Sequence, residues 1–248
     1  MSDMIPYFDA HMHYSQAYLD EILLSLDEGG IKGGINMWGG DLRFGYYFKD
    51  FEEMLRTARQ KHLDTFVQFY WPVWENYLTE GQKFVEELCR DMRRFADLGC
   101  KGIKVWKDFG MYFFKADGTP ATMDDPGLEP VWRTAAELGW TVAIHVADPS
   151  RNWKPNTLFT PKTNLTRDQI FETRDRVIKA HPEIKFMLCH AACNIEGIVK
   201  FGQYLDQYPH VNSDLAADWE KFGTEEELWA FLTKYADRVY AATDMCMP

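Results

Sequence analysis

Two histidines separated by a single residue lie near the start of the chain, in the segment Phe8-Asp9-Ala10-His11-Met12-His13. An apolar run precedes them and predicts a β-strand that ends at His11. Because side chains alternate between the two faces of a strand, both imidazoles would point to the same side, as two ligands of one metal do. The alternative interpretation is a polar pair at the start of a loop, and the spacing alone leaves both open.

The elements that would position this pair follow from an alternation of short apolar runs with amphipathic segments along the whole chain. This alternation is typical of repeated βα units around a parallel sheet. Seven further strands are predicted at residues 31–38, 65–70, 102–106, 140–145, 184–189, 211–214 and 239–243. Helices are predicted at residues 17–28, 51–61, 81–98, 127–138, 167–180, 195–207 and 224–235. Eight parallel strands separated by helices predict an α/β fold, the (β/α)8 or TIM barrel.

Two connections are long enough to carry function. The loop 107–125 contains an Asp117-Gly118 turn that predicts a small hairpin. The segment 146–165 is rich in Pro, Asn and Trp, as expected of a lid or binding loop. No flexible linker or low-complexity run divides the sequence, so residues 1–248 are predicted to form a single domain.

The composition limits the partners of the protein. A formal net charge of -11 and a pI near 5.1 argue against a nucleic acid, which selects for a basic surface. No apolar run approaches the roughly 18 residues that span a bilayer, and residues 1–6 show no targeting pattern. We therefore expect a cytoplasmic protein with a small-molecule substrate and no membrane partner. Five scattered cysteines predict free thiols rather than disulfides, at Cys89, Cys100, Cys189, Cys193 and Cys246.

The seven histidines divide into two groups in such a barrel, where catalytic side chains come from the C-terminal ends of the strands. Three precede strands and are predicted to be solvated loop residues, namely His62, His181 and His210. Four follow strands, and a carboxylate after the eighth strand joins them at the same mouth, giving the set His11, His13, His145, His190 and Asp244. A buried cluster of titratable groups costs free energy unless a metal or interaction partners compensate. Imidazole and carboxylate ligands suit zinc, with manganese or iron as alternatives.

The order of these residues resembles the amidohydrolase superfamily, in the amidohydrolase-related branch that also contains the decarboxylase of aminocarboxymuconate semialdehyde. The resemblance spans the chain. It lies in the His-x-His of the first strand, the single histidines after the fifth and sixth strands, and the Thr-Asp-x-x-x-Pro after the eighth. The matching segments are residues 8–13, 99–107, 142–149, 186–191 and 238–244.

The resemblance implies one divalent metal with four ligands, His11, His13, His145 and Asp244. It implies that His190 is the catalytic acid or base, or that it orients the substrate. Some relatives hold two metals bridged by a carboxylated lysine, for which Lys104 and Lys107 are the candidates. Relatives usually continue past the final aspartate with another helix, so the last helix of the barrel is expected to be missing. A shortened chain and a subunit contact in a homo-oligomer are the two explanations.

Three functions are compatible with this site. The leading hypothesis is a metal-dependent hydrolase in which the metal lowers the pKa of water towards about 7. Asp244 would accept the proton of that water, and His190 would assist at an amide, ester or lactone. The alternatives are a non-oxidative decarboxylase of a small aromatic or unsaturated carboxylic acid and a non-catalytic scaffold that retains a structural metal.

The predicted loops at the barrel mouth contain many rings and several charges. The rings suit a flat substrate, a sugar or a hydrophobic lid, and mutual packing explains them equally well. The candidate substrate residues are Trp38, Arg43, Lys104, Trp106, Lys107 and Asp148.

Overall fold

The structure is a computed structural model. It describes residues 7–14, 24, 28–39, 51–62, 66–148, 153–155, 160–193, 197–216 and 223–247. For residues 38, 39, 61, 62, 246 and 247 the description covers the backbone only.

Parallel strands form the centre of the molecule. Their bounds are β1 Tyr7–Tyr14, β2 Ile31–Gly39, β3 Phe66–Trp71, β4 Gly102–Val105, β5 Thr141–Ile144, β6 Lys185–Leu188, β7 Val211–Asp214, β8 Val239–Tyr240 and β9 Met245–Met247. Neighbours along the chain pair in parallel from β1 to β8, and β9 pairs in parallel with β1. The predicted (β/α)8 barrel is therefore confirmed.

The barrel closes through a divided last strand. The predicted strand 239–243 ends early at Tyr240, and the chain resumes as β9 after Asp244. Between the two pieces, the Ala10 amide donates to the Ala241 carbonyl at 3.0 Å, and the Asp244 amide donates to the His11 carbonyl at 2.9 Å. These bonds join the end of the chain to β1.

Helices alternate with the strands at Phe51–His62, Asn76–Glu80, Gln82–Asp97, Asp108–Met111, Glu129–Glu137, Arg167–Ala180, Ile198–Gln207 and Glu225–Lys234. The short helices Asn76–Glu80 and Asp108–Met111 were not predicted. The helix predicted at 17–28 lies mostly outside the described residues, although Leu24 and Glu28 are helical. The predicted lid 146–165 is described only in part. No described helix is long and apolar enough to span a membrane.

Local sequence signals explain several of these bounds. The Gln82–Asp97 helix buries one apolar face, and its buried residues include Phe84, Leu88 and Met92. Thr224 caps the Glu225–Lys234 helix in a capping box with Glu227. The predicted hairpin at Gly118 is also confirmed, because Phe114 and Pro120 form an antiparallel bridge across it.

Most of the apolar core lies between the sheet and the surrounding helices. A smaller buried cluster consists of Met37, Phe69, Ala143, Met187 and Cys189. Ala143 pairs with Met187 on one side and with Lys104 on the other, so this cluster shares a face of the sheet with Lys104. The prediction of free thiols is confirmed for four of the five cysteines, all of them buried, namely Cys89, Cys100, Cys189 and Cys193.

One of the three histidines assigned to the opposite face was predicted wrongly as solvated. His181 is buried, because it follows directly on the Arg167–Ala180 helix and its ring lies between two carboxylates. Its ring nitrogens are 3.2 Å from Glu129 and 3.2 Å from Glu183. His210 is half-buried, with Nε2 at 3.2 Å from the Ile178 carbonyl, and the side chain of His62 lies outside the description.

Arg238 offers a test of how the last βα unit is held. Its guanidinium donates to the carbonyls of Leu205 at 2.8 Å, Tyr208 at 2.6 Å and Val211 at 3.0 Å. Arg238→Met should lower the free energy of unfolding by about 2–3 kcal/mol, because three carbonyls lose a charged donor. Urea denaturation measures this. Arg56→Met is the control, since Arg56 forms an exposed pair with Glu52 and should change the value by less than about 0.5 kcal/mol. Equal effects of the two variants would contradict the assignment.

Candidate active site

The predicted site residues lie at the C-terminal ends of their strands. His11 and His13 belong to β1, His145 follows β5, His190 follows β6, and Asp244 lies between β8 and β9. Three of the side chains meet directly. His11 Nε2 lies 3.0 Å from His13 Nε2, and Asp244 Oδ1 lies 3.3 Å from the first nitrogen and 3.2 Å from the second.

The tautomer of His11 follows from its neighbours. Its Nδ1 lies 3.0 Å from the carboxylate of Asp214, which only accepts, so Nδ1 donates. Nε2 of the neutral ring then carries the lone pair, and Lys104 Nζ lies 3.2 Å from it. Burial, with a smaller contribution from Lys104, lowers the pKa of His11 to about 4, although Asp214 and Asp244 oppose the shift. His11 is therefore neutral at pH 7 and presents a lone pair to the site.

His13 is oriented in the same way by a different group. Its Nδ1 lies 2.6 Å from the carbonyl oxygen of Met37 in β2, and a carbonyl only accepts. In the neutral ring, Nε2 therefore also carries a lone pair towards His11 and Asp244.

His145 is fixed by a buried ion pair. Its Nε2 donates to Asp148 Oδ1 at 2.7 Å, and Lys107 Nζ donates to Asp148 Oδ2 at 2.7 Å. Burial alone would raise the pKa of Asp148, but the interactions with His145 and Lys107 hold it well below its usual range. Burial lowers the pKa of His145 to about 3 despite the bond to Asp148. The neutral ring keeps its lone pair on Nδ1.

His190 completes the group of rings. Its Nδ1 donates to the Ala216 carbonyl at 2.9 Å, and its Nε2 lies 3.9 Å from Asp244 Oδ2. The ring centroid is 4.6 Å from that of His145 and 5.0 Å from that of His11. His190 therefore links His145 to the cluster of His11, His13 and Asp244.

The backbone around these side chains is strained. Outside glycine, a positive φ angle occurs among the described residues only at Ala147, His190, Ala191, Ala192, Cys193 and Asp244. Such a conformation costs about 1–2 kcal/mol per residue. All six positions follow β5, β6 or β8, where site residues are placed. Strain concentrated in this way is a common property of functional sites.

Two buried aspartates in the site were not predicted. Asp214 ends β7 and accepts from the amides of His190 at 2.9 Å and Ala216 at 3.0 Å, besides its bond to His11. Burial would raise its pKa, but the interactions with His11 and His190 hold the pKa well below its usual range. A carboxylate at the end of a predicted strand was the signal that could have revealed it.

Asp9 is the second of these aspartates, and it joins β1 to the segment that precedes Asp244. Its carboxylate accepts from the His11 amide at 3.0 Å, from the Thr243 amide at 3.1 Å and from the Thr243 hydroxyl at 2.6 Å. Burial is the largest cause of its raised pKa.

The candidate substrate residues have different surroundings. Lys104 is fully buried and faces His11, Cys189 Sγ at 3.0 Å and Met37 Sδ at 3.5 Å. Lys107 and Asp148 are paired with each other beneath His145. The side chain of Trp38 and all of Arg43 lie outside the described residues.

Trp106 belongs to a row of rings between two of the histidines. The ring centroids of His13 and Trp71 are 5.8 Å apart, those of Trp71 and Trp106 are 5.4 Å apart, and those of Trp106 and His145 are 6.3 Å apart. Neighbouring rings in the row are inclined to each other by 56° to 90°, so the row offers ring edges and faces beside the cluster.

The cluster fits a divalent cation. Nε2 of His11 and Nε2 of His13 lie 3.0 Å apart, and Asp244 Oδ1 lies 3.3 Å and 3.2 Å from them, so a cation at this point could be bound by all three groups. Nitrogen and carboxylate donors of this kind suit zinc, manganese and iron.

A family model for amidohydrolases matches residues 8–243. The chain belongs to the amidohydrolase family. A search of curated proteins finds no match.

Solved structures of other amidohydrolases share the fold at low identity. The 2,6-dihydroxybenzoate decarboxylase from Rhizobium has a TM-score of 0.61 and 16% identity, and the match covers 97% of this chain and 88% of that one. A dihydroxybenzoic acid decarboxylase from Polaromonas with bound manganese and 2-nitroresorcinol has a TM-score of 0.63 and 14% identity, with coverage of 97% and 86%. A probable 2-pyrone-4,6-dicarboxylic acid hydrolase from Acinetobacter baumannii has a TM-score of 0.55 and 12% identity, with coverage of 97% and 84%.

The bond between Asp214 and His11 yields a prediction about metal affinity. In Asp214→Asn, an amide nitrogen facing His11 Nδ1 would turn that ring nitrogen into an acceptor and place the proton on Nε2. Zinc affinity should fall about 10- to 100-fold, the usual effect of losing the partner of a metal-bound histidine. Competition with a chromophoric chelator measures the affinity.

Two further variants serve as a positive and a negative control for this measurement. His11→Ala should abolish stoichiometric zinc binding while the far-UV circular dichroism stays that of the wild type. His210→Ala, on the opposite face of the barrel, should bind zinc normally. Wild-type affinity in Asp214→Asn would show that this carboxylate does not set the tautomer of His11.

Proposed function

We propose that this amidohydrolase is a metal-dependent hydrolase of a small amide, ester or lactone. The observation that carries the proposal is the shared position of Asp244. One of its oxygens faces the nitrogens of His11 and His13, and the other lies 3.9 Å from His190 Nε2. A single carboxylate thus connects the candidate metal position with a candidate acid or base.

His11, His13, His145 and Asp244 would hold one divalent metal, with zinc the first choice and manganese or iron the alternatives. When bound, such a metal lowers the pKa of a water molecule towards about 7 and polarises a carbonyl group. Amidohydrolases are metal-dependent enzymes, and the dihydroxybenzoic acid decarboxylase from Polaromonas contains manganese. The ligand atoms of His11 and Asp244 lie within 4.8 Å of each other, which supports these two ligands, and a ligand atom of His190 lies within the same distance of both.

The residues of the chain would share the proton transfers. Asp244 would accept a proton from the attacking water, and His190 would take that proton onward. His190, with Nδ1 committed to Ala216, receives the proton on Nε2 and delivers it to the leaving group.

A single metal is the simpler arrangement of this site. Lys104 is the lysine that faces His11, whereas Lys107 is neutralised by Asp148. Lys104 is therefore the candidate for a carboxylated lysine that would bridge to a second metal. A carboxylated Lys104 and a second metal would double the metal content measured per chain.

The row formed by Trp71 and Trp106 favours a second candidate, a decarboxylase of a small aromatic acid. A planar substrate could contact one of these rings while His190 protonates the ring carbon that loses carbon dioxide. Two of the structural relatives described above act on dihydroxybenzoates. The same metal and the same histidine serve both reactions.

A substrate panel separates the hypotheses. Zinc- and manganese-loaded protein is incubated with 2,6-dihydroxybenzoate and related aromatic acids, and separately with 2-pyrone-4,6-dicarboxylate and simple esters and lactones. Acid release from lactones or esters, measured with a pH indicator, is expected. If the protein releases only carbon dioxide, and only from aromatic acids, the proposed hydrolase is wrong and the protein is a decarboxylase. If fully metal-loaded protein turns over none of these compounds, a non-catalytic scaffold is favoured.

Substitutions at the shared carboxylate test the proton path. His190→Asn should lower kcat by about 100- to 10,000-fold while zinc stays bound, because a general acid contributes by that amount. Asp244→Asn should lower both zinc affinity and kcat. The control is His210→Asn, which should keep both values. Wild-type kcat in zinc-loaded His190→Asn would contradict the proposed role of His190.

A further inference from the structure

The left-handed turn of residues 190–193 is held from outside the barrel by the Arg167–Ala180 helix. Arg167 donates from Nη2 to the carbonyl oxygen of Cys193, and Arg174 donates from Nη1 to that of Ala192 at 3.4 Å. These two carbonyls lie at the end of the turn, where a helical segment leaves its carbonyls without partners of its own. A charged donor from another element satisfies them instead.

The two guanidinium groups are themselves fixed. Positions 167 and 174 lie about two turns apart on one helix face, and the ring of Phe171 lies between them, 4.9 Å from Arg167 and 4.6 Å from Arg174. Arg174 is buried, and its Nε donates to Asp175 at 2.8 Å. The Tyr204 hydroxyl donates to the same carboxylate oxygen at 2.8 Å. The arginines therefore act as a rigid support.

The other end of the turn is anchored inside the barrel. Asp214 accepts from the His190 amide at 2.9 Å, and the Ala216 carbonyl accepts from His190 Nδ1 at 2.9 Å. Within the turn, the Cys193 amide donates to the His190 carbonyl at 2.9 Å. Four consecutive residues with φ between 50° and 60° are thus stabilised at both ends.

We propose that Arg167 and Arg174 are positioning residues that keep this turn left-handed and so keep His190 Nε2 directed at Asp244. Neither arginine contacts the cluster, and both act through His190. The proposal rests on the proposed function of His190 as an acid or base. A displacement of a catalytic group by about 1 Å can lower a rate by about 100-fold, so a remote contact of this kind controls turnover.

The test compares Arg167→Met, Arg174→Met and Arg167→Lys in zinc-loaded full-length protein, with the aromatic acid or lactone of the panel that the wild type turns over. Arg176→Met is the matched control, because Arg176 belongs to the same helix but is exposed and pairs with Asp124 at 2.6 Å. We measure kcat and KM separately, zinc content and the melting temperature. A crystal structure of Arg167→Met reports the φ angles of residues 190–193 independently of activity.

Both methionine variants should lose about 10- to 100-fold in kcat, with KM and zinc content close to the wild-type values. Arg167→Lys should recover part of the loss, and Arg176→Met should behave as the wild type. In the crystal structure, the turn should lose at least one positive φ angle, with His190 Nε2 displaced from Asp244. A wild-type kcat, or a lowered kcat with the turn unchanged, would overturn the proposal. If His190→Asn itself keeps wild-type kcat, the proposed function of His190 fails instead.

Discussion

The site depends on one repeated interaction, the hydrogen bond that each of four histidines donates from one ring nitrogen to a fixed acceptor. The acceptors are Asp214 for His11, the Met37 carbonyl for His13, Asp148 for His145 and the Ala216 carbonyl for His190. Each bond orients its ring and fixes which nitrogen faces the site. Because His11 and His145 have lowered pKa values in their buried positions, they stay neutral at pH 7 and are prepared as ligands.

The groups of the site belong to different parts of the barrel, so the site requires closure of the sheet. Of the acceptors, Asp214 ends β7 and Met37 lies in β2, while the site residue Asp244 lies between the two pieces of the divided last strand. The bonds of Asp9 to His11 and Thr243 fix that division beside β1. The residues with positive φ angles after β5, β6 and β8 also cost free energy of folding, and the hydrogen bonds around them stabilise these backbone conformations.

Sequence periodicity was sufficient to predict the barrel and the strand ends that carry His11, His13, His145, His190 and Asp244. This succeeded because a parallel barrel gathers the C-terminal ends of its strands at one mouth. The strand bounds differ by a few residues, since β1 extends to Tyr14 and the last strand breaks at a positive φ angle of Asp244. No sequence pattern predicts such a break in the strand.

Pairing between distant side chains could not be predicted. Lys107 was expected to be a substrate anchor or a source of a carboxylated lysine, yet Asp148 neutralises it beneath His145. Asp214 was overlooked, because its importance comes from groups that reach it from β1 and from the turn after β6. His181 was expected in solvent, whereas two carboxylates surround it. Each of these depends on the packing of elements far apart in sequence.

The most direct test of the account is a crystal structure of the zinc-loaded protein, with anomalous diffraction to locate and count the metal. The account predicts one zinc ion per chain, bound by Nε2 of His11, Nε2 of His13 and a carboxylate oxygen of Asp244, with His145 as the fourth protein ligand through Nδ1. Zinc bound away from β1, or zinc whose ligands include neither His11 nor His13, would contradict it.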